Sequence, residues 1–244
     1  YEISECLVGS EMCIRDRKEF DLMCNPSAFC AGEYDEQIKR TLPFYEEFYN
    51  QAVRAAAALG KTGLTWLDVG CGTGKMAESA YRRLDIGRFV FCDISREMLQ
   101  TAKDRFSSFS GTQFILCPAQ ELAFHEEFDV ATAIQVNHYL SRGDRRSSVK
   151  NCFNALKSGG LFLSFENFAP YSQMGKELYL ERWRRFQLEN GRGAAESRAH
   201  MERYGNAYFP ITITEHLELL RECGFRCAEL FWASYMQAGL LGIK

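Results

Sequence analysis

The fold of this chain is decided by the octapeptide Leu67-Asp68-Val69-Gly70-Cys71-Gly72-Thr73-Gly74. The apolar residues just before it are typical of a buried strand, and residues 74–84 have the pattern of a helix. Three glycines at alternate positions remove Cβ atoms where the chain turns and where a ligand must approach closely. Because the turn also opens a helix N-terminus with free backbone N–H groups, it indicates a nucleotide-type ligand.

A second acidic residue narrows the kind of nucleotide. The next apolar run, residues 89–92, ends at Asp93, 19 residues after Gly74. A carboxylate at that place can accept hydrogen bonds from two ribose hydroxyls. A dinucleotide fingerprint needs a third glycine three residues after the second, and Lys75 occupies that position. The spacing therefore disfavours an NAD-dependent dehydrogenase.

Composition sets the broad class of the protein. The chain has 244 residues, 46% of them hydrophobic and 25% charged, with a net charge of -3. These values are ordinary for a globular protein and give no basic field of the kind that nucleic-acid binders carry. We find no run of membrane-spanning length and no signal peptide, so we expect a cytoplasmic protein without a membrane partner. The ten cysteines form no paired CxxC set, which predicts reduced thiols and no metal site.

Apolar runs alternate with helical patterns along most of the chain, and this alternation predicts an α/β fold. We expect a Rossmann-like, seven-stranded and mostly parallel sheet with an antiparallel last strand and helices on both faces. The predicted strands lie near 64–69, 88–93, 112–117, 128–136, 160–166, 226–233 and 235–243. The predicted helices between them lie near 74–84, 95–108 and 144–156.

Local signals set several element boundaries. Pro43 is expected to break the helical pattern of residues 33–59 into two helices. Ser95 has the place of an N-cap. The stretch Lys157-Ser158-Gly159-Gly160 is interpreted as the glycine C-cap of the helix before it. A further helix is predicted from Thr214 to Gly224.

From about Ser27 to Lys244 the chain resembles the class I methyltransferases that use S-adenosyl-L-methionine (SAM). It is most similar to the type-12 group, which includes bacterial proteins labelled tRNA uridine-oxyacetate methyltransferase or carboxy-SAM synthase-like. The shared marks are Tyr34-Asp35-Glu36-Gln37, the glycine loop, Asp93-Ile94-Ser95 with Met98-Leu99, and Leu156-Lys157-Ser158-Gly159-Gly160. The resemblance implies SAM as cofactor and methyl transfer to a small-molecule acceptor.

The resemblance also implies a set of cofactor-binding residues. Asp68 would orient the ammonium end of SAM, Asp93 would take the ribose hydroxyls, and Ile94 and Met98 would pack on the adenine. Pro118 stands where the family often has an acidic residue, so Gln120 or the backbone of Ala119 would have to bind the adenine amino group. The full predicted set is Tyr34, Asp68, Gly70, Gly72, Gly74, Asp93, Ile94, Met98, Ala119, Gln120 and Gln135.

Two residues at strand ends are candidates for chemistry. His138 is a candidate general base, because an imidazole with a near-neutral pKa suits proton removal from an acceptor, but the pattern favours a packing and hydrogen-bonding role at the strand end. Glu166 ends a predicted strand and is a candidate to orient the acceptor, with an ordinary surface carboxylate as the alternative. Many methyl transfers need little base, because the sulfonium is already activated and alignment supplies much of the rate.

The domain organisation is predicted in three parts. Residues 1–17 resemble a translated sequencing-adapter fragment, with a disordered arm as the alternative. Residues 18–60 are expected to form an N-terminal helical lid. Residues 61–244 are expected to form the methyltransferase domain, with a helical insertion at 171–205.

Three further interpretations stay open at this point. The protein could be a tRNA-modification enzyme that uses or makes carboxy-SAM, because arginines alternate with aromatic residues at 182–186. It could also be a SAM-binding protein without transfer activity, acting as a partner or regulatory subunit. A homodimer is possible in each case.

Overall fold

The computed structural model describes residues 4–5, 27, 29 and 31–244. Apart from the backbone of Ser4 and Glu5, the segment interpreted as an adapter fragment or an arm lies outside the described residues. The same holds for most of residues 18–30 in the predicted N-terminal lid.

The described strands form one sheet. Its strands are β1 (Ser4–Glu5), β2 (Leu64–Val69), β3 (Ile86–Asp93), β4 (Thr112–Leu116), β5 (Phe128–Ile134), β6 (Leu156–Asn167), β7 (Cys227–Ser234) and β8 (Gln237–Ile243). Their order in space is β1-β4-β3-β2-β5-β6-β8-β7. Strands β1 to β6 pair in parallel, and β8 lies between β6 and β7, antiparallel to both.

Eight helices are described on the two faces of the sheet and above it. They are α1 (Tyr34–Thr41), α2 (Tyr45–Ala57), α3 (Lys75–Tyr81), α4 (Arg96–Phe106), α5 (Arg142–Ala155), α6 (Gln173–Glu189), α7 (Ala194–Glu202) and α8 (Ile213–Cys223). Pro43 and Phe44 separate α1 from α2, as predicted, with Phe44 in the left-handed region at φ 54°. Ser95 caps α4 through a hydrogen bond from the Met98 amide, which confirms that prediction as well.

The strand order places a crevice at one point of the sheet. From β2 the chain moves outward to β3 and β4, then returns across β2 to β5 on its other side. The carboxyl ends of β2 and β5 therefore diverge at a topological switch point, which is where open α/β sheets bind ligands. Asp68 lies near the end of β2, residues 70–74 follow that strand, and Gln135 follows β5.

The predicted sheet is confirmed, including the antiparallel last strand, and β1 adds two residues at its edge. One local prediction is wrong. Lys157-Ser158-Gly159-Gly160 is not the C-cap of α5, because α5 ends at Ala155 and Leu156 already has an extended backbone. Residues 157–160 are held in the sheet instead: Gly159 donates its amide to the Lys244 carbonyl, and Lys244 donates to Gly160. The glycines therefore form an irregularity inside β6.

Side chains alternate between two apolar layers along each central strand. Trp66 packs with α2, α3 and α4 on one face, whereas its neighbour Leu67 packs with α5 and α8 on the other. Parallel strands covered on both faces are apolar nearly throughout, which explains why the sequence shows continuous runs here rather than clear alternation.

The insertion at residues 171–205, called the lid insertion below, docks onto the first helix. Trp183 of α6 is fully buried, and its indole Nε1 donates to the Thr41 carbonyl at 2.6 Å. Arg192, between α6 and α7, donates to the Thr41 hydroxyl at 2.6 Å. The lid insertion is therefore anchored to the end of α1.

No helix in the described part of the chain combines the length and apolar character needed to cross a bilayer. Within the same residues, no three His, Cys, Asp or Glu side chains converge as metal ligands do. The described cysteines are free thiols, and all but Cys227 are buried.

Candidate functional site

A cavity of about 350 Å³ lies at the switch point, over the carboxyl ends of β2, β3 and β5. This volume is in the range of pockets that bind nucleotide-sized ligands. Four segments form its wall: the glycine loop, the β3–α4 turn, residues 117–120 after β4 and the loop after β5. Below it is called the main cavity. It is lined by Ser27, Tyr34, Gly70, Gly72, Asp93, Ile94, Met98, Cys117, Pro118, Ala119, Gln120, Ile134, Gln135, Val136, Tyr139, Leu140, Ser141 and Asp144.

The three glycines of the loop serve different purposes. All have positive φ, the region that favours glycine. A Cβ at Gly70 would overlap Cγ2 of Val136, so this glycine is required by a neighbouring loop. A Cβ at Gly74 would lie 2.8 Å from the Phe106 ring, so this one serves helix packing. Only Gly72 has open space beside it, toward the main cavity.

Asp93 ties the glycine loop to the start of α4. One carboxylate oxygen accepts from the Gly72 amide at 2.8 Å, and the other accepts from the Ser95 amide at 2.8 Å. Burial raises the pKa of Asp93, and these backbone hydrogen bonds oppose the rise. A carboxylate offers about four acceptor positions, so the backbone amides do not use all of its acceptor capacity, and a ligand in the main cavity can use the remainder.

Asp68 lies deeper, below the glycine loop, where it lines a second, smaller cavity with Tyr34, Tyr45 and Tyr49. Its carboxylate accepts from the Thr132 hydroxyl at 2.7 Å, and it is 2% exposed. Burial raises the pKa of Asp68 to about 7, although the hydrogen bond from Thr132 opposes this. The group is therefore ready to ionise when a cationic ligand approaches.

The segment after β4 contains one unpaired acceptor, in a residue that lines the main cavity. The Ala119 carbonyl already accepts from the Asn151 side chain at 3.3 Å. By contrast, the buried Oε1 of Gln120 has no hydrogen-bond partner. Buried polar atoms are normally paired, so this oxygen fits a donor on a bound ligand. Of the two candidates offered by the sequence, Gln120 has the free acceptor.

A third, small cavity opens beside the main one, under the lid insertion. Tyr34, Gln135 and Tyr139 line both cavities, while Arg203 and Tyr208 line the third alone. Tyr34 lines the second cavity as well, so it stands where all three meet. Burial raises the pKa of Tyr139, and the positive charge of Arg203 opposes the rise. The third cavity is therefore mostly apolar, with a cation at its edge.

His138 and Glu166 lie close together but line none of these cavities. His138 Nδ1 is 2.6 Å from Glu166 Oε2, and both side chains are 1% exposed. Gln237 orients Asn167, which directs its amide nitrogen at His138 Nε2 (3.3 Å). The ring proton then lies on Nδ1 and is donated to Glu166. Burial would raise the pKa of Glu166, but the hydrogen bond from His138 holds it below its usual range. This geometry gives no support to either residue as an acid or base toward a ligand, and Glu166 is not a surface carboxylate.

Asp35, next to Tyr34, anchors α1 to the glycine loop. Its carboxylate accepts from the Thr73 hydroxyl at 2.6 Å and from Arg105 at 2.8 Å. Arg105 also donates to the Thr73 carbonyl at 3.0 Å. This clamp holds Tyr34 at the meeting point of the cavities.

The structure brings nine of the eleven predicted cofactor residues to the wall of the main cavity. Asp68 lines the second cavity instead, and Gly74 packs against Phe106. Sequence reasoning missed Asp35, Val136, Tyr139 and Arg203. Asp35 lies in the motif shared with the type-12 group, and Val136 and Tyr139 directly follow the predicted residues Gln135 and His138. Arg203 had no sequence signal beyond its place in the lid insertion.

Comparison with known proteins agrees with this geometry. Residues 67–160, from the glycine loop to the irregularity in β6, match the family described as methyltransferase domain. The chain therefore carries a methyltransferase domain over these residues. The matched segment contains all the residues that line the main cavity except Ser27 and Tyr34, which precede it.

Curated proteins that match most of the chain are named carboxy-S-adenosyl-L-methionine synthases. The carboxy-S-adenosyl-L-methionine synthase of Trichodesmium erythraeum is 25% identical over 205 residues, covering 80% of this chain and 79% of that protein. The synthase of Sulfurimonas denitrificans is 27% identical over 222 residues, covering 88% and 92%. Both matches extend well beyond the methyltransferase domain.

Solved structures share the fold at low sequence identity. A putative methyltransferase from Haloferax volcanii, in complex with the activator Trm112, superposes with a TM-score of 0.61 at 17% identity, over 87% of this chain and 96% of that one. Magnesium protoporphyrin IX methyltransferase from Synechocystis, with bound S-adenosylhomocysteine, gives 0.59 at 14% identity, over 88% and 97%. At these identities the likeness concerns the fold of the methyltransferase domain.

Proposed function

We propose that the main cavity binds the nucleoside of SAM and that the enzyme transfers the methyl group to a small-molecule acceptor under the lid insertion. The observation that carries this proposal is Asp93. Its carboxylate orders the glycine loop and the start of α4 through backbone amides, and its oxygens lie beside the main cavity with acceptor capacity left for ribose hydroxyls.

The two ends of the ligand are matched by different groups. Gln120 Oε1, unpaired at the wall, is suited to accept from the adenine amino group, between the apolar side chains of Ile94 and Met98. At the other end, Asp68 in the second cavity is suited to the ammonium of the methionine portion. The sulfonium would then lie near Tyr34, which lines all three cavities.

The acceptor would lie at the end of the main cavity that borders the third cavity, beside Tyr34, Gln135 and Tyr139. The third cavity itself, at about 20 Å³, has room for little more than a water molecule. SAM supplies an electrophilic methyl group, so the protein has chiefly to align the acceptor and exclude water. The lid insertion and α1 cover this region and are held together at Thr41. His138 and Glu166 are turned away from it, so we assign the rate to alignment rather than to a protein base.

A second candidate function is the handling of carboxy-SAM, in the manner that the names of the relatives state. Arg203 favours it, because a guanidinium beside the sulfonium position could pair with a carboxylate carried there. Mass spectrometry of the ligand released on denaturation would separate the two. SAM or S-adenosylhomocysteine supports methyl transfer, and carboxy-SAM supports the second candidate.

An RNA acceptor is less well supported by the lid insertion. Arg184 and Arg185 both pair with Glu181 on the same helix, and Arg182 lies over the Tyr235 ring at 3.8 Å. These arginines are already engaged with neighbours on the protein. An affinity for tRNA that falls steeply with salt would nevertheless restore this interpretation.

Replacing Asp93 by alanine tests the proposal directly. We expect the affinity for S-adenosylhomocysteine to fall by roughly 1–3 kcal/mol, since hydrogen bonds to a charged group are lost. Isothermal titration calorimetry provides the measurement. Asp104→Ala, on the exposed side of α4, is the matched control and should bind as the wild type does. Unchanged affinity in Asp93→Ala would refute the ribose role.

A further inference from the structure

Glu166 accepts several hydrogen bonds from the loop that follows β5. Its carboxylate accepts from the backbone amides of Val136, Asn137 and His138, at 3.1, 3.0 and 3.3 Å. It also accepts from the side chains of Asn137 at 3.1 Å and Ser164 at 3.1 Å, besides His138. These donors surround both oxygens, so the carboxylate is fully engaged within the protein.

Arg145 donates hydrogen bonds to backbone carbonyls of the same loop, whereas Glu166 accepts from its amides. It is 4% exposed, and its Nε donates to the Asn137 carbonyl at 2.8 Å. Its Nη2 donates to the carbonyls of Leu140 (3.3 Å) and Phe209. The Phe209 amide in turn donates to the His138 carbonyl at 2.6 Å. The loop is thus tied to the segment that leaves the lid insertion.

This loop forms a large part of the site. Five of its residues line the main cavity: Gln135, Val136, Tyr139, Leu140 and Ser141. Gln135 has φ 59°, a conformation that is costly for a residue other than glycine and persists only where the surroundings enforce it. Val136 packs into the space left by the missing Cβ of Gly70. A shift of the loop backbone would therefore move both the cavity wall and the glycine loop.

We propose that Glu166 and Arg145 are positioning residues for cofactor binding, acting through the backbone of residues 135–141 rather than by contact with the ligand. Glu166 fixes the amides of the loop, and Arg145 fixes its carbonyls. The proposal rests on the proposed function, since it takes the main cavity as the SAM site. It replaces the role of Glu166 toward an acceptor with one in shaping the cofactor wall.

Glu166→Gln tests the proposal. The side-chain NH2 of glutamine would meet backbone amides and the His138 proton, where only an acceptor fits. We expect the Kd for S-adenosylhomocysteine to rise on the order of tenfold in the folded protein. Glu166→Asp keeps two acceptor oxygens and should bind more tightly than Glu166→Gln. Calorimetry gives the Kd, and circular dichroism with thermal melting reports the fold.

Leu161→Ala is the matched control, because it removes buried methyl groups from the same strand but away from the loop. It should lower the Tm and leave the Kd unchanged, which separates loss of stability from loss of positioning. If Glu166→Gln fails to fold, Arg145→Lys decides: it keeps the charge without the planar fork, and the Kd should rise at least about threefold. A Kd within twofold of wild type in the folded Glu166→Gln or Arg145→Lys protein overturns the proposal. Failure of the wild type to bind overturns the proposed function instead.

Discussion

Gly70→Ala is expected to destabilise the protein by ~2–5 kcal/mol, from a left-handed backbone and overpacking against Val136 together. The alanine Cβ would overlap Val136 Cγ2, and φ at this position is 65°. Val136 cannot retreat easily, because its amide is bound to Glu166. Urea denaturation gives the free energy of unfolding, and we expect binding of S-adenosylhomocysteine to be lost in parallel.

The neighbouring glycine provides the control for this prediction. Gly72 has φ 53° but no atom near its missing Cβ, so Gly72→Ala should cost only the backbone contribution, about 1–2 kcal/mol. Val136→Ala leaves a Cβ at 3.5 Å from the new methyl group, an ordinary contact. The double variant Gly70→Ala/Val136→Ala should therefore recover part of the loss. Equal losses at positions 70 and 72 would show that Val136 is not the cause.

Asp68→Asn is expected to make the protein more stable at neutral and basic pH. Burial raises the pKa of Asp68 from 3.8 to about 7 in the folded chain. Between those values the folded state holds a proton that the unfolded state has released. The free energy of unfolding therefore falls as pH rises through this window and levels off above it. The free energy of unfolding of the wild type falls by roughly 4 kcal/mol across this pH window. The asparagine variant does not lose this stability, because asparagine does not ionise.

Asp129→Asn is the matched control with the opposite sign. The charges and hydrogen bonds of Lys61, Thr65 and Lys157 hold the pKa of Asp129 below its usual range, although burial alone would raise it. Its carboxylate stabilises the fold above the ordinary aspartate pKa, so the asparagine variant should be less stable at neutral pH. Urea denaturation from pH 4 to pH 8 measures both. A gap between Asp68→Asn and wild type that stays constant over this range would contradict the raised pKa.

The sheet could be predicted from the sequence because parallel strands buried on both faces leave continuous apolar runs, and the glycine loop marks where the first of them ends. The local sequence pattern gave the wrong prediction at Gly159 and Gly160. A glycine pair after a helix usually caps it, but here the backbone of residue 244 draws these glycines into β6. That partner is 84 residues away, outside the reach of any local pattern.

Most of the residues that line the main cavity could be located from the sequence, because they follow strand ends in a fixed order. The roles of Glu166 and Asp35 could not be predicted. Glu166 stands at a strand end, as a ligand-binding acid would, but six donors from the adjacent loop and strand turn it inward. Asp35 contacts Thr73 and Arg105, 38 and 70 residues away. Both roles depend on tertiary contacts rather than on spacing.

The most direct test of the central claim is a titration of the purified protein with SAM and, in parallel, with NAD. We expect saturable binding of one SAM per chain, weakened in Asp93→Ala and kept in Asp104→Ala, with no binding of NAD. Binding of NAD, or no binding of SAM at millimolar concentration, would contradict the assignment of the main cavity as a SAM site.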